Sequence, residues 1–434
     1  MTSPTGRKDV NSQDGGYGWF LTALAFLTGL IEIGTFKSFG VLLLPVQESL
    51  QCSVTTLGTA FAAAHTVGYV LMPIGNRLAK KLGSKPLVIG GGFTTFLCFV
   101  GACLASNIAQ FSVFVIIWGV GVAVSYGPMI IAVLPYFPSK SAFAISLIGL
   151  GSGFGIMVYP PLTEFCVEVY GWRGTLLLFS AVNAQVCVFG AFIKPAPSSY
   201  AALASEDGSL RESASPNNDG NKLWKYWKVV FKGICQLLAL DVLWYEPKFV
   251  IHAFVSSLIG VTYSAWMIYL VPHGVARGID RHRAAFLSSA GGLGTVLGRV
   301  IQAVVMHLRC ITAVQLDIFL AFISLFAFVL DPLVSGNYPG LLCLALVNGL
   351  CIPTMAVLFL LVAQEVLSED LSVQGWGTLN LFFGVGELAG GGFAGIAYDA
   401  TGSYDTSFLM LGGLSGVIFA VLFTERLLRL CRHG

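Results

Sequence analysis

Residues 14–44 read DGGYGWFLTALAFLTGLIEIGTFKSFGVLLL, and this stretch decides how the rest of the chain is read. A glycine-rich lead-in carries Tyr17 and Trp19 to the edge of a long apolar run. A helix needs roughly 20 apolar residues to cross a bilayer core, and the run is long enough. The two aromatic rings suit the headgroup level, where an amphipathic ring is favoured. Within the run stand Glu32 and Lys37. An ionisable side chain near the centre of a membrane helix costs about 2.5–3.5 kcal/mol on insertion scales, so both are functional candidates by default.

Composition extends this reading to the whole chain. Of 434 residues 56% are hydrophobic and 11% charged, against about 25% charged in soluble proteins. Mean hydropathy is +0.79. That is a polytopic membrane protein, not a soluble globular domain. Met1–Gln13 is polar and the first apolar run is long enough to stay as a signal anchor, so no cleavable signal peptide is expected. Five of the ten cysteines (Cys98, Cys103, Cys187, Cys343 and Cys351) lie in apolar runs, where a thiol packs as a small side chain. There is no C-x-x-C spacing, no N-x-[ST] acceptor and no H-E-x-x-H, so no metal, cofactor or enzymatic activity is expected.

Apolar runs alternating with polar breaks predict about twelve spans, near 18–44, 55–78, 86–105, 111–134, 142–165, 175–193, 249–271, 284–306, 311–334, 340–362, 375–398 and 406–424. The predicted organisation is an N-terminal segment at 1–17, a six-helix bundle at 18–193, a linker at 194–248, a second bundle at 249–424 and a tail at 425–434. The linker opens Lys194-Pro195-Ala196-Pro197 and continues Ser/Asn/Asp/Gly-rich, a composition that cannot bury a core. From Lys222 to Lys232 it turns basic and aromatic, which suits a helix lying on the membrane face. With the N-terminus placed in the cytoplasm, eighteen of the 24 lysines and arginines fall in inner segments and four in outer loops. The positive-inside rule therefore puts both termini in the cytoplasm, and an odd number of spans would destroy the asymmetry.

Seven stretches in order carry a resemblance that covers essentially the whole chain. Asp14-Gly15-Gly16-Tyr17-Gly18-Trp19 resembles the [DE]-G-G-[WF]-G-W opening of the monocarboxylate transporter family (solute carrier family 16 type), within the major facilitator superfamily. Phe36-Lys37-Ser38-Phe39-Gly40-Val41 resembles the first-span lysine motif of that family, and residues 73–92 its loop after the second span. Tyr136-Phe137 with Gly149 to Gly155 and Pro160-Pro161 resembles the second signature, with its basic cluster thinned to Lys140. Gly171-Trp172-Arg173-Gly174, Leu240-Asp241-Val242-Leu243 and Tyr398-Asp399-Ala400-Thr401-Gly402 fit at their expected places. The resemblance implies an all-α fold of about 12 transmembrane helices in two six-helix bundles, working in the plasma membrane. It implies a small organic anion as substrate, with or without a proton. It also raises an ancillary partner, a single-span immunoglobulin-like glycoprotein, and gives no role to nucleic acid.

The same resemblance ranks the site residues. Counting along the helix puts Lys37 in the outer half of the first span, within snorkelling range, and residue counts alone leave a surface anchor and a functional lysine both open. In the family this lysine faces the cavity and takes part in proton and anion uptake. Arg299, which residue counts alone also allow to snorkel to the inner surface, closes AFLSSAGGLGTVLGR, which resembles the eighth-span motif whose arginine pairs with the substrate carboxylate. A guanidinium suits that task because it is always charged and its planar fork matches a carboxylate. Four residues earlier the best-known members of the family carry a proton-accepting aspartate, and this chain has Thr295, which cannot titrate near neutral pH. Glu32, His65 and Glu387 fall near mid-depth and are the remaining candidates for a proton link, with structural pairing as the alternative for each. His252, Asn183, Gln185, Asn348 and Asn380 are unranked polar groups in spans.

The sequence is thus that of a secondary transporter working by alternating access. Two other readings stay open: an uncoupled facilitator of a neutral or zwitterionic solute, and a non-transporting sensor or scaffold. The glycines of residues 149–155 have no strand before them and read as a helix-packing face, not a nucleotide loop.

Overall fold

A computed structural model describes residues 16–137, 141–194, 241–308, 310–334 and 337–433. The expectations placed on Asp14, Lys140, Arg309 and most of the linker, including Lys222–Lys232, lie outside the described residues. Helices α1 (Gly16–Leu50), α2 (Val54–Leu82), α3 (Ser84–Leu104), α4 (Ile108–Val133) and α5 (Ser141–Ala191) come first. After a short helix α6 (Asp241–Tyr245) follow α7 (Val250–Ala276), α8 (Arg281–His307), α9 (Ala313–Leu330), α10 (Tyr338–Val357), α11 (Phe359–Val366), α12 (Glu369–Thr401) and α13 (Tyr404–His433).

Among the described residues 11 helices are long and apolar enough to cross a membrane. One of them crosses twice. Helix α5 has 51 residues, about 76 Å at 1.5 Å per residue, which is more than two bilayer cores. It breaks at Gly171, with φ 66 and ψ 174, a left-handed backbone that favours glycine. The predicted fifth and sixth spans are the two arms of this break, which makes twelve crossings. The predicted tenth span is also interrupted, since α10 ends at Val357 and α11 restarts at Phe359. An even number of crossings leaves Gly16 and His433 at the same face, called here the terminal face.

Close helix approach rests on small residues, as expected where lipid supplies no hydrophobic drive between helices. A Cβ at Gly151 would lie 2.2 Å from the Phe26 carbonyl, and one at Gly155 would lie 2.5 Å from that of Leu30, so α5 packs directly on the α1 backbone. On its other side Gly149 and Gly153 face Arg299 and Val296 of α8. Helix α12 is likewise two-sided, with Gly386 and Gly390 against α7 and Gly391 and Gly395 against α2.

The elements before residue 195 meet those after residue 240 along a seam formed by α1 with α7, α2 with α12, and α5 with α8. At the face opposite the termini the seam is closed by polar contacts. The Asp399 carboxylate accepts from Thr55 N at 3.1 Å and from Thr55 Oγ1 at 2.5 Å, capping α2 from across the seam. Arg281 pairs with Glu48 at 3.4 Å and His282 with Glu168 at 3.0 Å.

Prolines inside the spans leave carbonyls without their helical donor, and serine or threonine hydroxyls on α8 supply two replacements. Pro161 frees the Met157 carbonyl, which accepts from Ser289 Oγ at 2.7 Å across the seam. Pro353 frees the Gly349 carbonyl, which accepts from Thr295 Oγ1 at 3.1 Å.

Candidate functional site

Arg299 lies 18 residues into α8, about 27 Å from its start. Its Nη1 donates to the Gly149 carbonyl on α5, so the guanidinium reaches across the seam. Gly149 has to be small for this, because a Cβ there would stand 2.5 Å from Nη1. The Arg299 Nε is buried without a partner. No carboxylate forms an ion pair with Arg299 among the described residues. Its charge is within electrostatic reach of the hydroxyls of Tyr69, Tyr126 and Tyr263, one from each of α2, α4 and α7.

Lys37 is fully buried. Its Nζ donates to the carbonyls of Met267 at 2.9 Å and Trp266 at 3.3 Å, and sits 4.3 Å over the Trp266 ring. Those acceptors belong to α7, on the other side of the seam. Gly40, one turn on, lets α1 approach the Ile268 carbonyl, which Pro272 leaves without a helical donor. Lys37 therefore does not snorkel in this conformation.

Lys37 and Arg299 are not brought together. Ser38, next to Lys37, bonds Thr163 of α5 at 2.7 Å, whereas Arg299 touches the same helix at Gly149. Fourteen residues separate those levels, about 21 Å along the axis. One small anion cannot touch both in this conformation.

His65 and Glu387 do meet. His65 Nδ1 lies 2.8 Å from Glu387 Oε1, both side chains are buried, and the pair bridges α2 and α12 across the seam. The imidazole also stacks on Phe36, with centroids 3.7 Å apart, directly beside Lys37 in sequence. Glu387 Oε2 has no partner. Glu32 sits on α1 one turn before Phe36 and accepts from the Ser125 hydroxyl of α4, while its Oε2 is buried and unpartnered.

Thr295 bonds to none of these groups. Its hydroxyl is buried and shared between the carbonyls of Gly291 at 3.0 Å and Gly349 at 3.1 Å. The unranked polar groups do local work. Asn183 and Asn380 donate to carbonyls one turn back, Asn348 accepts from Ser324, His252 pairs with Glu425 at 3.3 Å, and Gln185 is exposed.

Sequence reasoning missed Ser125 and Tyr126 on α4, and Tyr69, Tyr263 and the Gly149 carbonyl on spans that line the seam; their only signal was their place in apolar spans. It also missed a cluster at the face opposite the termini. His273, Asp331 and Asp405 offer ligand atoms within 4.8 Å of one another. However, Arg277 Nη2 lies 2.8 Å from Asp331 and 2.9 Å from Asp405, so a cation already balances the acids and a metal ion does not fit between them.

Residues 24–380 match the Major Facilitator Superfamily. The chain is 24% identical to rat monocarboxylate transporter 12, over 99% of this chain and 88% of the relative. It is 26% identical to human monocarboxylate transporter 11, over 92% and 81%. Among solved structures it resembles a bacterial homologue of the human lysosomal transporter Spinster in an inward-facing, unoccupied conformation. That match has a TM-score of 0.71 at 13% identity and covers 94% of this chain and 97% of the other, a likeness of fold alone.

Proposed function

The chain belongs to the major facilitator superfamily and is a multi-pass membrane transporter, and we propose that it moves a small monocarboxylic anion by alternating access. The observation that carries this is Arg299. It is a half-buried guanidinium on the seam, held by a neutral carbonyl and matched by no acid among the described residues. A cation so placed is disfavoured until an anion joins it, and a carboxylate brings both the charge and the hydrogen-bond acceptors. The names of the relatives support the same substrate class.

In this reading residues 18–193 and 249–424 rock as two bodies about the seam. Arg299 receives the carboxylate. Lys37 is a second station, released from the α7 carbonyls when the face opposite the termini opens. Glu32, His65 and Glu387 are the groups placed to carry a proton if one moves with the solute. Both termini are cytoplasmic and the membrane is the plasma membrane, on the strength of the eighteen-to-four charge asymmetry and the family resemblance. An immunoglobulin-like single-span partner is proposed on the resemblance alone.

The test is uptake of labelled monocarboxylates by the full chain in vesicles. Arg299→Ala is expected to abolish it with insertion intact. Arg299→Lys keeps the charge and loses the fork, so it retains a small part of the rate. Uptake by Arg299→Ala at the natural rate overturns the reading. A second reading, an uncoupled facilitator of a neutral or zwitterionic solute, draws support from Thr295, whose hydroxyl is committed to packing where the family has an acid.

A further inference from the structure

On the reading that Arg299 takes a carboxylate, we infer that the preferred solute is a zwitterion whose cationic nitrogen is received by Glu32. Glu32 is 1% exposed and lies in a membrane-spanning helix. Its only partner is a neutral hydroxyl, that of Ser125, and Oε2 has none. No lysine, arginine or histidine pairs with it among the described residues. Three other buried acids have a cationic partner: Glu387 has His65, Asp331 has His273 and Arg277, and Glu425 has His252 and Arg429, while Asp317, four residues from the start of α9, lacks one as Glu32 does. A buried carboxylate without a counter-charge is disfavoured by several kcal/mol, so Glu32 is a vacant half of an ion pair.

Its place fits the other vacant half. Glu32 lies between Leu30 and Gly34, the two residues of α1 against which Gly155 of α5 packs. Arg299 meets α5 at Gly149, six residues away, about 9 Å along the axis. Tyr126 is within electrostatic reach of both Glu32 and Arg299, and its hydroxyl lies 3.5 Å from Ser152 Oγ on α5. Two unpaired groups of opposite charge thus stand at neighbouring levels of α5, one on α1 and one on α8, with Tyr126 within electrostatic reach of both. A zwitterion neutralises both groups at once and brings no net charge, so closure over it needs no proton. That agrees with Thr295 standing where the resemblance places a proton-accepting aspartate in the best-known members of the family.

The experiment uses the full chain in vesicles and matched pairs of probes: propionate with β-alanine, and butyrate with γ-aminobutyrate. The amino member of each pair is expected to half-saturate uptake at a concentration lower by about tenfold or more, the effect of one charge-assisted hydrogen bond. Glu32→Gln is expected to remove that preference, and Glu32→Asp to keep part of it. Equal or better uptake of the plain acids, with a ratio unmoved by Glu32→Gln, overturns the inference and leaves the carboxylate reading of Arg299 standing. Uptake of neither member overturns both. Should Glu32→Gln fail to insert, the preference of the natural protein decides alone, and its absence overturns the inference.

Discussion

Removing one hydroxyl, by Thr295→Val, isolates what that residue does. Valine has nearly the same shape, so the substitution deletes the one hydroxyl donor shared by the Gly349 and Gly291 carbonyls and little else. That carbonyl has no helical donor because Pro353 stands four residues on. A hydrogen bond between membrane helices contributes about 0.6 kcal/mol on average and up to about 1.7 kcal/mol. Both Thr295 and Gly349 are fully buried, so the expected loss is at the upper end, about 1–1.7 kcal/mol.

The assay is a double-mutant cycle read by reversible unfolding in detergent. Thr295→Val is destabilising in the natural background. Pro353→Ala restores an N–H to the Gly349 carbonyl, so Thr295→Val in that background costs less by about 1 kcal/mol, since contacting residues couple by this order. An equal cost in both backgrounds refutes the account of Thr295 as a proline-repair donor. Transport in the Thr295→Val variant keeps the pH dependence of the natural protein, since no titrating group is lost. Thr295→Asp serves as the counter-case. An ionised carboxylate would face two carbonyl oxygens, so that variant tolerates the site only while it holds a proton, and its stability falls as pH rises.

Three further outcomes are expected. Acid outside the vesicles stimulates uptake weakly, and neutralising the buried pair by His65→Ala or Glu387→Gln removes what stimulation there is; a steep response that survives both substitutions sends the proton elsewhere. Asp399→Ala removes the cap that the second half of the chain gives to α2, a loss of about 0.5–1 kcal/mol at this exposed site, and speeds thiol labelling of Ala62→Cys in the seam by a few-fold; Glu48→Ala, which loses only an exposed pair, leaves the rate unchanged. Tags at the N-terminus, near Gly208 and at the C-terminus stay inaccessible from outside an intact cell, and labelling of any one without permeabilisation refutes the proposed topology.

What was legible in the sequence is what bilayer thickness and local chemistry dictate. The number of crossings, the break at Gly171 and the packing role of residues 149–155 follow from hydropathy and glycine spacing, because each is settled within a stretch of about one helix. What was not legible depends on which helices face one another. His65 and Glu387 are 322 residues apart, and nothing in either span names the other as its partner. Residue counting left Lys37 free to snorkel, because counting cannot see that α7 lies across it and offers two carbonyls. The placement of Thr295 shows the limit most clearly. From the sequence it reads as a missing acid, a defect in a proton path. In the folded chain it answers a different need, a carbonyl left bare by a proline 58 residues on. A residue that departs from a family pattern is therefore judged by the partner it has gained as well as by the one it has lost. Here the gained partner is backbone, and in the proposed reading the negative charge that an aspartate would have supplied near Arg299 is left to the solute.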